Sequence, residues 1–273
     1  AMVFFGREAE VDACIERLRQ EPVMAVVGPS GVGKSSFVQA GVIARLREQS
    51  PWIVLRVRPG DAPANRLANK IISAHNAEAG SETLRSSVDQ TTPHSQGLIS
   101  ATTSHGEKRL EQVQKLAKVL VDSPHHLALE LQAIARIRDR RVLLLVDQVE
   151  ELFTLNEDDR EQRAIARAIC LAADDPADPV RVIFTVRDDF LGRMASGGDL
   201  VRQALRHVTV LNRLKREDLR EILIRPLTEV GYRFDDDNLV DDMIDAVDPL
   251  VGLPLLQFTA RSLWDTRDRV KRI

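Results

Sequence analysis

The sequence predicts an α/β protein built as a three-layer parallel sheet followed by a small all-helical unit. Three observations predict it. Short apolar runs at 23–27, 53–57, 142–146, 180–186 and 208–211 read as strands buried on both faces. Helical patterns at 34–47, 63–77, 112–121, 127–138 and 160–173 separate them. Strands alternating with helices call for β–α–β crossovers, and hence a parallel sheet with helices on both faces. From Lys215 onward the strands cease, and helical stretches follow at 218–230, 237–247 and 255–269.

The first run, "VVGPSGVGKSSFV" at 26–38, leads into a glycine-rich loop and out through a helix. This is the P-loop pattern G-x-x-x-x-G-K-[ST] in its strand–loop–helix setting. Gly28, Gly31 and Gly33 let the backbone turn tightly, so that N–H groups point at phosphate oxygens and the helix N-terminus adds its positive dipole end. Pro29, Ser30, Val32 and Ser36 complete the phosphate-binding stretch. Lys34 is the expected counter-charge for the β- and γ-phosphates, and the Ser35 hydroxyl the expected ligand of Mg²⁺.

The third run, "RVLLLVDQVEEL", ends in Asp147, where a strand's carboxyl end would bring a carboxylate beside Ser35 and the metal. Glu150 and Glu151 follow at the start of a short helix. Either could orient or deprotonate a water for attack on the γ-phosphate. Acids in a first helical turn also suit the helix dipole, so the choice between them stays open at this point. The fourth run, "VRVIFTVRDDF", ends in Arg187 at the same sheet edge. A cation there can sense a γ-phosphate, or simply pair with Asp188 or Asp189.

Between 75 and 106 the chain is rich in Ser, Thr, Gly and Gln without periodicity, and is expected to be a mobile surface insertion. His75, His94 and His105 there lack helical ligand spacing and read as solvated side chains. A nucleotide-binding domain over 1–213 and a helical domain over 214–273 follow. Ala1 ahead of Met2 reads as a cloning scar, and the chain is expected to be a fragment of a longer polypeptide.

With 273 residues, 44% hydrophobic and 29% charged, the chain is long enough for a sizeable core. A formal net charge of -3 provides no basic field for nucleic acid. No apolar stretch reaches the roughly 18 residues of a membrane helix, and a cytoplasmic protein is expected. The two cysteines, Cys14 and Cys170, lack metal-ligand spacing and read as small buried hydrophobes.

"FFGREAEV", "GPSGVGKSS", "LLLVDQVEELF", "VIFTVRDDFLGR" and "VGLPLLQF" together resemble the STAND class of signalling P-loop NTPases, in particular the bacterial novel STAND type. That class is related to the NACHT, NB-ARC and AAA+ proteins. The resemblance implies that Phe5, Gly6 and Arg7 line the adenine side, and that Asp147 is the Walker B acid. Glu151 matches the last acid of the NACHT-type pattern and is therefore preferred over Glu150, Arg187 is the first sensor, and Gly252 and Pro254 form the GxP element of a helical lid. ATP or ADP with Mg²⁺ are the implied cofactors. Many AAA+ relatives carry an acid directly after the Walker B Asp, a position held here by Gln148, so the hydrolytic base is open to either glutamate.

The function this implies is a slow ATPase switch, closed by ADP and opened by ATP into a self-associating form, in bacterial signalling or defence. The sensor and effector domains usual in the class are not in this chain. An AAA+ motor or replication-initiator-like ATPase is the second expectation, and a nucleotide-bound scaffold without hydrolysis the third. Arg193, Arg202 and Arg206 are candidates for an arginine reaching a neighbour's site, although a solvated face explains them as well.

Overall fold

The computed structural model describes residues 4–77, 98–195, 201, 205–236, 238–247 and 252–272. The expected strands all form: β1 (Val23–Gly28), β2 (Trp52–Val57), β3 (Arg141–Val146), β4 (Val180–Arg187) and β5 (Val208–Val210). They make one sheet in the order β2-β3-β4-β1-β5, parallel throughout. Strand β4 therefore separates β1, which feeds the P-loop, from β3, which feeds Asp147. The register sets Gly28 opposite Arg187 and Val146 opposite Phe184. Parallel strands end on one edge, so P-loop, Asp147 and Arg187 converge there.

Apolar side chains alternate to both faces of the sheet, as parallel strands covered twice require. One face packs Ala25, Leu144 and Phe184 against the helices of 63–76, 98–122, 126–138 and 159–171. On the other face, Met24, Leu145 and Ile183 meet Cys14, Leu18, Phe37 and Leu46. Burial pushes the Cys14 and Cys170 thiols up to about 12, which leaves both protonated and inert as nucleophiles.

The helix expected at 34–47 is continuous but not uniform. Lys34–Ser36 and Ile43–Gln49 are α-helical, and Phe37–Val42 between them is a π-helix. A Cβ at Gly41 would lie 2.6 Å from Val11 Cγ2 and 3.0 Å from Phe4 Cε1, so the amino-terminal segment packs directly on this turn.

Within the stretch expected to be an insertion, residues 78–97 lie outside those described, His94 among them. His75 belongs to helix Pro63–Asn76 and its Nε2 lies 2.9 Å from Glu130 Oε2. Residues 98–106 begin helix Leu98–Asp122, longer than the expected 112–121. Val113, Ala117 and Leu120 bury its carboxyl-terminal part, and a helix nucleated by packing extends at little cost per residue.

The helices Arg216–Glu229, Leu239–Asp245 and Gly252–Thr266 have a core of their own: Leu223, Val240, Met243, Ile244 and Leu256. The Asp218 carboxylate accepts from Lys215 N–H at 3.0 Å and caps the first of these helices. Among the described residues no helix is long and apolar enough to cross a membrane.

Candidate functional site

Gly31 and Gly33 have φ of 76° and 92°, left-handed values that strain any residue with a Cβ. At Gly28 an added Cβ would lie 2.6 Å from the Leu211 carbonyl oxygen, so β1 and the exit of β5 approach closely where the loop begins. Lys34 is buried, and its Nζ donates to the carbonyls of Gly28 at 2.7 Å and Pro29 at 2.9 Å. Burial lowers the pKa of this ammonium, against the opposing pull of Glu150 and Asp188. A poorly solvated cation over a glycine-rich turn is a phosphate acceptor by electrostatics alone.

Across the sheet edge, the Ser35 hydroxyl donates to Asp147 Oδ1 at 2.7 Å, and Thr185 Oγ1 donates to the same oxygen at 2.8 Å. Thr185 also accepts from Gln148 N–H at 2.8 Å, which holds Gln148 at a φ of 58°. Thr185→Val should therefore cost about 2 kcal/mol by orphaning a buried N–H and an acceptor on Asp147 at unchanged volume. Chemical denaturation of the variant measures this.

Arg56 Nη2 completes the shell of Asp147 by donating to Oδ2 at 2.8 Å. Ser35 and Asp147 offer hard oxygen donors suited to Mg²⁺. Among the described residues no cluster of three His, Cys, Asp or Glu could hold a metal, so a cation here would depend on phosphate oxygens and water for its remaining ligands.

The two glutamates face different ways. Glu150 is buried and lines a cavity of about 210 Å³ with Lys34, Ser35, Ser36, Gln148 and Arg187, and among the described residues its Oε2 has no hydrogen-bond partner. Burial raises its pKa, with Lys34 and Arg187 pulling the other way. Glu151 is turned toward β2: Oε1 accepts from Arg58 Nε at 2.6 Å and Oε2 from Gly60 N–H at 3.2 Å. It does not line this cavity. Arg187 does line it, yet its guanidinium is forked onto Asp189 at 3.0 and 2.7 Å. Arg187 thus borders the cavity while paired with Asp189.

A second cavity, about 370 Å³, opens between the P-loop and the helical unit. Pro29, Ser30, Gly31 and Val32 form one wall, Leu219, Ile244, Gly252, Leu253 and Leu256 the other, with Arg213, Arg216 and Asp245 as polar groups. Gly252 and Pro254 thus come to the P-loop, Pro254 lining the 210 Å³ cavity. A Cβ at Gly33 would lie 3.0 Å from Leu253 Cδ2, and one at Gly31 3.6 Å from Pro254 Cγ.

The amino-terminal residues are placed differently from one another. Arg7 is buried and its Nη2 bonds the carbonyls of Val32 at 3.3 Å and Asn212 at 2.7 Å, so it clamps the P-loop to the exit of β5. Burial lowers its pKa, countered by Glu10. Gly6, at φ 82°, gives way to Ile222, whose Cγ2 would lie 2.7 Å from an added Cβ. Phe5 lies under the Arg225 guanidinium, 4.5 Å from its ring centroid, and does not line the 370 Å³ cavity. Sequence reasoning missed Arg56, Arg58 and Thr185; the only signal was a polar residue in, or just beyond, a strand otherwise apolar.

A five-stranded parallel sheet with a glycine-rich phosphate-binding loop after β1 and an acid after β3 is the arrangement of a P-loop NTPase. The family model Novel STAND NTPase 1 (nSTAND1) matches residues 1–273, and the chain belongs to this family. No curated protein matches it. Among solved structures, AMPPCP-bound DnaA from Aquifex aeolicus shares the fold at 13% identity and a TM-score of 0.50, over 100% of this chain and 67% of that one. The replication initiator DnaA bound to AMPPCP and single-stranded DNA aligns at 12% identity and a TM-score of 0.49, over 97% of this chain and 63% of that one.

Proposed function

We propose that the protein is an adenine-nucleotide switch in which slow Mg²⁺-dependent ATP hydrolysis controls the position of the helical unit. The observation that carries this reading is the seating of Leu253 and Pro254 on Gly33 and Gly31. A lid resting on the phosphate loop itself must respond to what the loop holds. A nucleotide shifts the open and closed populations only by its differential affinity for them, so fast turnover is not required.

In this reading the base enters the 370 Å³ cavity and the phosphates the 210 Å³ one. Lys34 leaves the Gly28 and Pro29 carbonyls for phosphate oxygens, while Ser35 and Asp147 hold Mg²⁺, which supplies charge neutralisation of the phosphates. Glu150, with a free carboxylate oxygen facing Lys34 and Arg187, accepts the proton of the attacking water. Glu151 acts as a brace through Arg58. ATP favours an open form that self-associates, and the setting is signalling or defence.

The test is to identify by chromatography the nucleotide released on denaturation, then to measure phosphate release for wild type, Glu150→Gln and Glu151→Gln. Bound ADP, and turnover far below the typical enzyme value of about 10 s⁻¹ that disappears in Glu150→Gln, is the expected result. An empty site without turnover would indicate a scaffold, and rapid turnover a motor. Light scattering with ATP and with ADP tests self-association.

A further inference from the structure

Asp147 is buried at 2% exposure, and both of its carboxylate oxygens accept hydrogen bonds. Oδ1 takes the hydroxyls of Ser35 and Thr185, both neutral donors. Oδ2 takes Arg56. Among the described residues this is the one ion pair of Asp147 within 4.0 Å. The other cations of the edge are committed elsewhere: Lys34 to carbonyls, Arg58 to Glu151 and Arg187 to Asp189. A buried carboxylate without a compensating charge is costly.

We propose that Arg56 is a built-in counter-cation for Asp147, which a hydrated divalent cation must displace before the site closes tightly on nucleotide. The inference rests on the nucleotide-binding reading above. Three features support displacement rather than a permanent bond. The Arg56 side chain is 48% exposed, so it can swing out at modest cost. Its Nη1 is anchored on Gln39 Oε1 at 2.5 Å, in the π-helical turn that follows the P-loop, which gives it a resting place outside the carboxylate. The Ser35 hydroxyl can keep donating to Oδ1 while its lone pairs turn to the metal, so Oδ2 is the oxygen left for a metal-bound water. A guanidinium and a divalent cation at one carboxylate oxygen repel each other, and the divalent ion has to outcompete the arginine. The cost of breaking the pair then appears as a higher Mg²⁺ concentration needed for binding.

The experiment follows binding of a fluorescent ADP analogue across a Mg²⁺ titration, with an EDTA arm, for wild type, Arg56→Ala and Arg56→Gln. The glutamine keeps an N–H donor without the charge and serves if the alanine variant fails to fold. The Mg²⁺ midpoint should fall about fivefold in both variants, the yield of one partly exposed ion pair. Affinity in EDTA should change by less than about twofold. Titration curves that overlay wild type would overturn the proposal, making the pair an inert surface contact. A midpoint that rises would also overturn it, since Arg56 would then be holding Asp147 in place for the metal. Wild type that binds no nucleotide, with Mg²⁺ or without, overturns the functional reading and this inference together, whereas overlaid curves with normal wild-type binding sink this inference alone.

Discussion

Lys34→Ala should weaken nucleotide binding by about a hundredfold or more while the fold stays intact. The ammonium is held in the loop by two carbonyls at 2.7 and 2.9 Å, in a place where burial already disfavours its charge. Phosphate oxygens in place of those carbonyls would turn two ion–dipole contacts into charge-paired ones. Hydrogen bonds between charged groups are worth about 1.5–3 kcal/mol each, and two of them correspond to a hundredfold or more in affinity. The fold should not depend on the same charge. Lys34 begins a helix, where alanine is well tolerated, and Pro29, one of the two carbonyl partners, lines a cavity that water can enter. Isothermal titration against ADP and a thermal melt separate the two effects, with a melting shift of no more than about 3 °C expected. Retained affinity would mean that the P-loop lysine does not bind the phosphates.

Glu150→Gln should abolish most hydrolysis and yet raise stability. The loss of a positioned general base typically costs 10²–10⁴-fold, roughly, in rate. The stability gain comes from the same feature: a buried carboxylate whose Oε2 is unpartnered, its pKa raised by burial. The native state binds this proton more tightly than the unfolded chain does. Stability from this group is therefore greatest below the unfolded pKa of about 4.3 and declines as pH rises through the folded value. The wild type loses this contribution as the pH rises, whereas the glutamine does not titrate. Urea denaturation at pH 5 and pH 8 should show the variant ahead by about 1 kcal/mol at the higher pH, with the gap narrowing at the lower. Equal stability at both would mean the carboxylate is solvated and would weaken its assignment as the base. Glu151→Gln should instead destabilise the protein, because it weakens the contacts with Arg58 and Gly60 N–H.

The difference between these adjacent acids shows where sequence stops being informative. Both sit in "DQVEEL", both suit a first helical turn, and the family pattern favours Glu151. The geometry is set by Gln148 at positive φ and by the bond from Val149 N–H to the Thr185 carbonyl at 2.9 Å, which rotate the turn so that Glu150 points to Lys34. No local pattern encodes that rotation. Phe5 is a parallel case. The resemblance puts it on the adenine side, and the structure packs it under the Arg225 guanidinium, which is itself paired with Glu8 at 2.9 Å.

The strands, the helices that alternate with them, the phosphate loop and the acid that follows β3 are all legible in the sequence. Those features are local: an apolar run buried on both faces, glycines where only glycine fits, a lysine and a serine at fixed spacing. Tertiary structure alone decided the strand order that inserts β4 between P-loop and acid, the choice of Glu150 over Glu151 as the acid facing the cavity, the pairing of Arg56 with Asp147, and the seating of Leu253 and Pro254 on the loop. Each of these joins residues far apart in the chain, such as the 91 positions between Arg56 and Asp147, and depends on register and side-chain direction. Periodicity and spacing record which face a residue occupies but not which distant residue it will meet there.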